Sequence, residues 1–274
     1  MLTLTLGEAL DFFCRRKVKG GMRMRERKVV LEAVGLTKCY GDLKAIDCLE
    51  LSVEEGEIFG LLGHNGAGKS TTIECLLGVK KKTEGRVKLL GLDPEKDRKQ
   101  LFEKVGVQFQ ETHYQDKIKV KEICELTASL YKESLDYKKL LKEFGLGEKL
   151  NALVEELSGG QRQRLSVLLA VLPNPKLIFL DELTTGLDPE ARWEIWRLIK
   201  DLQKRGTTIF LTSHYMDEVE KLCGGIAILK KGKVIVTGTV EEVLQKSNKA
   251  TLEEAYLFYV QEGDKNYEDI YHTF

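Results

Sequence analysis

No apolar run in this chain of 274 residues approaches the roughly 18–20 residues that a membrane-spanning helix needs, so the chain is expected not to cross a bilayer by itself. No C-x-x-C pair occurs among its six cysteines, Cys14, Cys39, Cys48, Cys75, Cys124 and Cys223. That disfavours a zinc site or a disulfide framework, and scattered free thiols fit a reducing cytosol. An excess of charge of either sign is missing too. Lys plus Arg total 43, Asp plus Glu total 43, and the formal net charge is zero. Nothing global therefore draws the chain to nucleic acid. No internal repeat is visible, so each motif occurs once. Asn and Gln are scarce while charged residues reach 31%, a composition that leans toward thermophilic proteins. The length suits one large domain, or a domain with a subdomain, and a substantial core.

What is present centres on Gly63-His64-Asn65-Gly66-Ala67-Gly68-Lys69-Ser70-Thr71, which fits G-x-x-x-x-G-K-[ST] without a mismatch. The apolar run 58–62 before it reads as a buried strand, and 72–77 after it as the start of a helix. Glycines let the backbone take positive φ and bring several N–H groups close to a phosphate chain. The helix N-terminus adds partial positive charge. In such a loop Lys69 reaches the β- and γ-phosphates and the Ser70 hydroxyl ligates Mg²⁺. The spacing is not G-x-G-x-x-G and a lysine closes the loop, which disfavours a dinucleotide fold.

Residues 1–28 look added on: 2–13 is apolar and 15–28 strongly basic. The charge follows the apolar part, which is the wrong order for a signal peptide. Two readings stand, a basic amphipathic segment on anionic lipid and an extension without a role. From residue 29 the pattern turns to short strands at 29–34, 45–53, 85–91 and 105–110, with a turn at Tyr40-Gly41-Asp42 and a helix from Pro94 to about Phe102. Residues 117–144 are rich in Lys, Glu and Leu, with leucines at roughly helical spacing, and read as helical.

Leu157-Ser158-Gly159-Gly160-Gln161 precedes a helix over 161–172, stopped by Pro173. Ser158 and Gln161 suit a capping box; the two glycines also suit a second anion site. The all-apolar strand 177–180 delivers Asp181-Glu182 at its carboxyl end, where adjacent acids need a nearby cation. A turn at 186–189, a helix over 190–204 and a strand over 208–212 ending at Ser213-His214 follow. A hairpin around Lys231-Gly232 and a short helix over 240–245 complete the reading.

With the phosphate loop, Gln110, 157–161, 177–182, 186–189 and His214 in this order, the chain resembles an ATP-binding subunit of an ABC transporter over about 29–245. The resemblance implies an α/β P-loop NTPase fold with a RecA-like mixed sheet. It also implies an antiparallel β subdomain and an α-helical subdomain inserted at about 111–165 and hinged at Gln110, with a C-terminal tail at 246–274 holding a short helix. ATP and Mg²⁺ are the implied ligands. Tyr40 matches an adenine-stacking aromatic, and the loop from Gly63 to Thr71 matches the phosphate contacts, His64 holding a variable position without a role of its own. Ser70, Gln110 and Asp181 match the Mg²⁺ set, Gln110 also sensing the attacking water. Glu182 matches the base for that water, Lys69 the phosphate cation and His214 the switch histidine. Ser158, Gly159, Gly160 and Gln161 match the segment that caps the γ-phosphate of an opposite subunit, and Asp188 the acid facing that subunit. Leu183 departs from the usual proline of D-E-P-T, which puts the stiffness of that turn in question.

A second ATP-binding subunit, identical or not, and transmembrane permease subunits are the implied partners, with the chain on the cytoplasmic face of the membrane. The segment 251–257 resembles the S-L-E-x-x-F-L ending of exporter-type subunits, and no long regulatory domain of the sugar-importer kind follows it. The rivals are an importer ATPase and a soluble ATPase of the same superfamily acting on nucleic acid or ribosomes. The latter resemble tandem duplicates or carry long coiled-coil inserts, and this chain has neither.

Overall fold

The computed structural model describes residues 28–110 and 114–271. The expected extension at 1–28 therefore lies outside the described residues, Lys28 excepted, as does the start of the expected insertion at 111–113. Two sheets organise the rest. The first is antiparallel, in the order β2 (Leu43–Glu54), β1 (Val29–Tyr40), β4 (Glu84–Leu89). The second has six strands in the order β5 (Val105–Gln108), β6 (Leu177–Asp181), β7 (Thr208–Ser213), β3 (Ile58–Leu62), β8 (Gly225–Lys230), β9 (Lys233–Thr239). Its first five strands run parallel and only β9 is antiparallel.

Strands β3, β6, β7 and β8 are buried at every residue, as expected where both faces of a parallel sheet are covered. Period-two alternation assigns the faces. Phe59, Phe179 and Phe210 point toward the three-stranded sheet and pack on one another, with centroids 5.8 and 5.4 Å apart. Ile58, Leu62, Ile178 and Leu180 point the other way, toward the helices. On that side lie α5 (Gly159–Val171), α6 (Pro189–Lys204) and α7 (Met216–Leu222). They are joined by α8 (Val240–Ser247), α9 (Leu252–Tyr271) and the small helices α3 (Val120–Ser129) and α4 (Tyr137–Glu143). Helix α1 (Lys69–Leu76) follows β3, and α2 (Arg98–Phe102) precedes β5.

Several local expectations need correction. The helix expected from Pro94 begins only at Arg98, because Asp93 Oδ1 accepts from the Glu95 and Lys96 amides and Asp97 Oδ2 from the Asp93 amide. Side-chain bonds of this kind offer the backbone a turn in place of a helix. Strand β5 stops at Gln108, two residues short of Gln110. Strand β4 stops at Leu89, since Leu90 takes φ +52°. The segment 117–144, read as helical, forms two helices; α3 buries Val120 and Cys124, one turn apart, but turns Leu126 and Leu130 outward at 53% and 73% exposure. The tail helix is twenty residues long, not short. It is anchored where Leu252 and Ala255 are fully buried and the Leu252 amide donates to Glu220 Oε1. The Lys231-Gly232 hairpin is as expected, with φ +46° and +79° at its two loop residues, the signs a tight two-residue connection demands.

The helical layer presses hard on β5. A Cβ built on Gly106 would lie 2.1 Å from the Ala170 carbonyl oxygen, a backbone atom that cannot swing aside. Gly106→Ala is therefore expected to lower unfolding free energy by about 1–3 kcal/mol, the usual range for overpacking. Urea denaturation checks this, and a loss under ~0.5 kcal/mol would show the close approach to be yielding.

Candidate functional site

The carboxyl ends of the parallel strands converge on one point. Gly68 caps α1 with φ +108°, and a Cβ there would meet the Ala45 carbonyl oxygen at 2.6 Å. No side chain caps α1, so its first N–H groups remain open to an anion. The Lys69 ammonium folds back over the loop. It donates to the Gly63 carbonyl at 2.8 Å and the His64 carbonyl at 3.3 Å, and pairs with Glu182 Oε1 at 3.0 Å. Both charges are buried, Lys69 at 4% and Glu182 at 8% exposure.

Glu182 sits just past β6 with φ +48°, a strained setting for a residue with a side chain. Thr212, at the end of β7, holds it there. The Glu182 amide donates to the Thr212 carbonyl at 3.2 Å and to Thr212 Oγ1 at 3.1 Å, while that hydroxyl donates to Asp181 Oδ1 at 2.5 Å. Gln110 Nε2 donates to Glu182 Oε2 at 3.0 Å, and His214 Nδ1 lies 3.5 Å from the same oxygen. The structure thus gathers Lys69, Gln110, Asp181, Glu182 and His214 around the phosphate loop. Sequence reasoning missed Thr212; its signal was a pair of hydroxyls, Thr212-Ser213, closing a strand after the apolar run 209–211.

Burial holds the Asp181 carboxyl above its ordinary 3.8. The Thr212 and Ser70 hydroxyls pull it back down, the Glu182 charge pushes it up and Lys69 lowers it. The remaining loop residues are placed without a comparable network. His64, Asn65 and Gly66 are exposed, Ala67 is buried and Thr71 is half-buried. His64 Nδ1 approaches the Asn65 carbonyl at 2.6 Å.

Ser158, Gly159, Gly160, Gln161 and Asp188 form a second cluster. Ser158 caps α5 by accepting from the Gln161 amide at 3.3 Å, and Gln161 Oε1 accepts from the Ser158 amide at 3.0 Å. Asp188 caps α6, accepting from the Ala191 amide at 2.9 Å. Both helix tips line a cavity of ≈ 290 Å³ with Arg164 and Leu187. Among the described residues no hydrogen bond or ion pair links this cluster to the phosphate loop. Tyr40 ends β1 half-exposed, its ring 4.7 Å from Lys38 Nζ and 5.8 Å from Lys80 Nζ. Leu183 is buried in the helical-side core at 2% exposure; apolar packing occupies the position where a proline was expected.

Strand, glycine loop and helix, with an acid pair at the end of a parallel strand one removed in the same sheet, define a P-loop nucleoside triphosphatase. Residues 46–185 match the family model described as ABC transporter. Nod factor export ATP-binding protein I of Rhizobium etli is 36% identical over 84% of this chain and 75% of its own length. A solved ATP-binding subunit of an ABC transporter superposes with TM-score 0.78 at 26% identity, covering 84% of this chain and 99% of its own. A bacterial ABC transporter cassette solved as a dimer gives TM-score 0.68 at 27% identity over 77% of this chain and 98% of its own. The chain belongs to the ABC transporter family, as an ATP-binding ATPase cassette.

The Asp181 shift has a testable consequence for stability. A raised carboxyl in the fold contributes stability that is present below the ordinary value of 3.8 and lost as pH rises through the folded value. Ionisation of Asp181 therefore destabilises the fold as pH rises through that value. Asp181→Asn, which keeps an acceptor for Thr212, is expected to raise Tm at pH 7, with the gain shrinking as pH falls toward 3.8. Scanning calorimetry checks this; a lower Tm at pH 7 would contradict it.

Proposed function

We propose that this chain is the energy-supplying subunit of an export system, and that two cassettes close on ATP with the sites of each completed by the other. The observation that carries the reading is Glu182, strained at the strand end and bound at once by Lys69 and Gln110. Lys69 leaves Glu182 and the loop carbonyls for the β- and γ-phosphates, and the amides at the start of α1 take phosphate oxygens. Tyr40, open on the surface at the end of β1, stacks on the base. The freed Glu182 accepts a hydrogen bond from a water and orients its oxygen toward the γ-phosphorus. The new P–O bond forms as the β–γ bridging bond breaks, giving ADP and inorganic phosphate, with Glu182 taking the water proton. His214 and Gln110 hold the γ-phosphate side of that arrangement.

The residues present suit a divalent cation. Asp181 and Glu182 are both buried, and Lys69 is the one permanently charged side chain paired with them among the described residues. Ser70, Asp181 and Gln110 offer the hard donors that Mg²⁺ prefers and would hold it; the ion neutralises charge on the phosphates when bound.

Ser158 and its glycine amides form a capped helix tip with its own cavity, unlinked to Lys69. That separation supports their use on the nucleotide of a second cassette, identical or not, as does the dimeric relative. ATP binding then closes the pair and hydrolysis reopens it, through differential affinity for the two states. Among the described residues no helix is long and apolar enough to cross a membrane. The translocation path accordingly falls to transmembrane partner subunits, with the cassette at the cytoplasmic face. The export-type relative favours that direction, and nucleic acid is not expected as a partner.

Glu182→Gln is expected to retain ATP binding while turnover falls roughly 10²–10⁴-fold, and to accumulate an ATP-bound dimer. Steady-state hydrolysis with light scattering checks both, and undiminished turnover would remove Glu182 from this role.

A further inference from the structure

Glu218 takes no part in the chemistry above, yet it is the most thoroughly buried carboxylate among the described residues, at 1% exposure. It lies in the first turn of α7. Its Oε1 accepts from Thr184 Oγ1 at 2.9 Å and from Trp196 Nε1 at 3.1 Å, and its Oε2 accepts from Ser213 Oγ at 2.6 Å. No Lys or Arg pairs with it among the described residues. Taking a carboxylate out of water without a cation costs several kcal/mol, and neutral hydrogen bonds return only part of that. Apolar packing would hold these segments together at less cost, so stability alone does not account for the residue.

Its partners do. Thr184 is two residues beyond Glu182. Ser213 directly precedes His214, and Ser213 Oγ also accepts from the Tyr215 amide at 3.0 Å. Trp196 stands on α6, the helix that Asp188 caps. One carboxylate therefore ties together the loop after Glu182, the segment bearing His214 and the helix behind Asp188. A second tie runs alongside it. Arg192 of α6 pairs with Asp217 at 2.9 and 3.0 Å and lies 4.7 Å from the Tyr215 ring centroid, and that ring packs 4.1 Å from His214.

We propose that Glu218 is a positioning residue for ATP hydrolysis, one that acts through Ser213, with Thr184 as its second anchor, to hold His214 at its distance from Glu182. The proposal rests on the roles given above to Glu182 and His214. Hydrogen bonds from hydroxyl and indole groups fix direction as well as distance, which apolar contacts cannot do. Displacing a γ-phosphate contact by about 1 Å is enough to cost turnover without loosening the nucleotide.

Steady-state ATPase kinetics on Glu218→Ala, Glu218→Gln, His214→Ala and the Glu218→Ala/His214→Ala pair test this. Glu218→Ala is expected to lower kcat ~10-fold or more with KM for ATP within ~3-fold. Glu218→Gln keeps an oxygen for Thr184 and Trp196, and is expected to stay within ~3-fold of the unsubstituted chain. The double variant should lose clearly less than the product of the two single losses, since both changes act on one contact. If Glu218→Ala does not fold, Ser213→Ala, which removes one hydroxyl, takes its place in the cycle. An unchanged kcat in Glu218→Ala, or losses that simply multiply, would overturn the proposal while leaving His214 in its role. An unchanged kcat in His214→Ala would overturn both.

Discussion

The site depends on one buried ion pair, Lys69 with Glu182, 3.0 Å apart. At an effective dielectric of ~20 two unit charges at that distance attract by about 5 kcal/mol. Desolvating them costs several kcal/mol per ion. The attraction does not exceed the summed desolvation cost of the two ions, so the pair is an exchangeable contact, not a fixed strut. A triphosphate brings more negative charge than one carboxylate does, so in the proposed function its arrival at Lys69 would free Glu182 to orient a water. On the proposed function, the two residues of this pair become the phosphate cation and the base of the hydrolytic step.

That exchange needs a rigid frame, which the parallel sheet supplies. Strands β3, β6 and β7 are buried throughout and end on the same side. The phosphate loop, the Asp181-Glu182 pair and the Ser213-His214 pair each begin where one of them stops. Thr212 converts this register into chemistry, because its carbonyl and hydroxyl hold the strained Glu182 backbone and its hydroxyl also reaches Asp181. Strain and buried charge at one point lower stability, and the apolar faces on both sides of the sheet offset that cost.

The sequence alone carried the elements whose cause is local. The phosphate loop, strand 58–62, the Ser158 cap and the Lys231-Gly232 hairpin all follow from residue type and spacing over a few positions, and the structure has them there. Boundaries were lost where side chains compete with the backbone, as Asp93 and Asp97 do before α2. Contacts that join distant segments left little trace. Nothing near Thr212 in the chain announces Asp181, and nothing near Glu218 announces Thr184 or Trp196. The position of Leu183, an expected weak point, was likewise decided by a core that no local pattern reveals. The pairing of Lys69 with Glu182 was invisible for a related reason: each residue was read for an expected role with nucleotide, not for its contact with the other.

The most direct measurement is a crystal structure of the chain with a non-hydrolysable ATP analogue and Mg²⁺. The account predicts the Lys69 ammonium on the β- and γ-phosphates, more than hydrogen-bond distance from Glu182, with the serine-glycine helix tip of a second copy against the γ-phosphate. Lys69 still resting on Glu182 and the Gly63 carbonyl, with the nucleotide elsewhere, would contradict it.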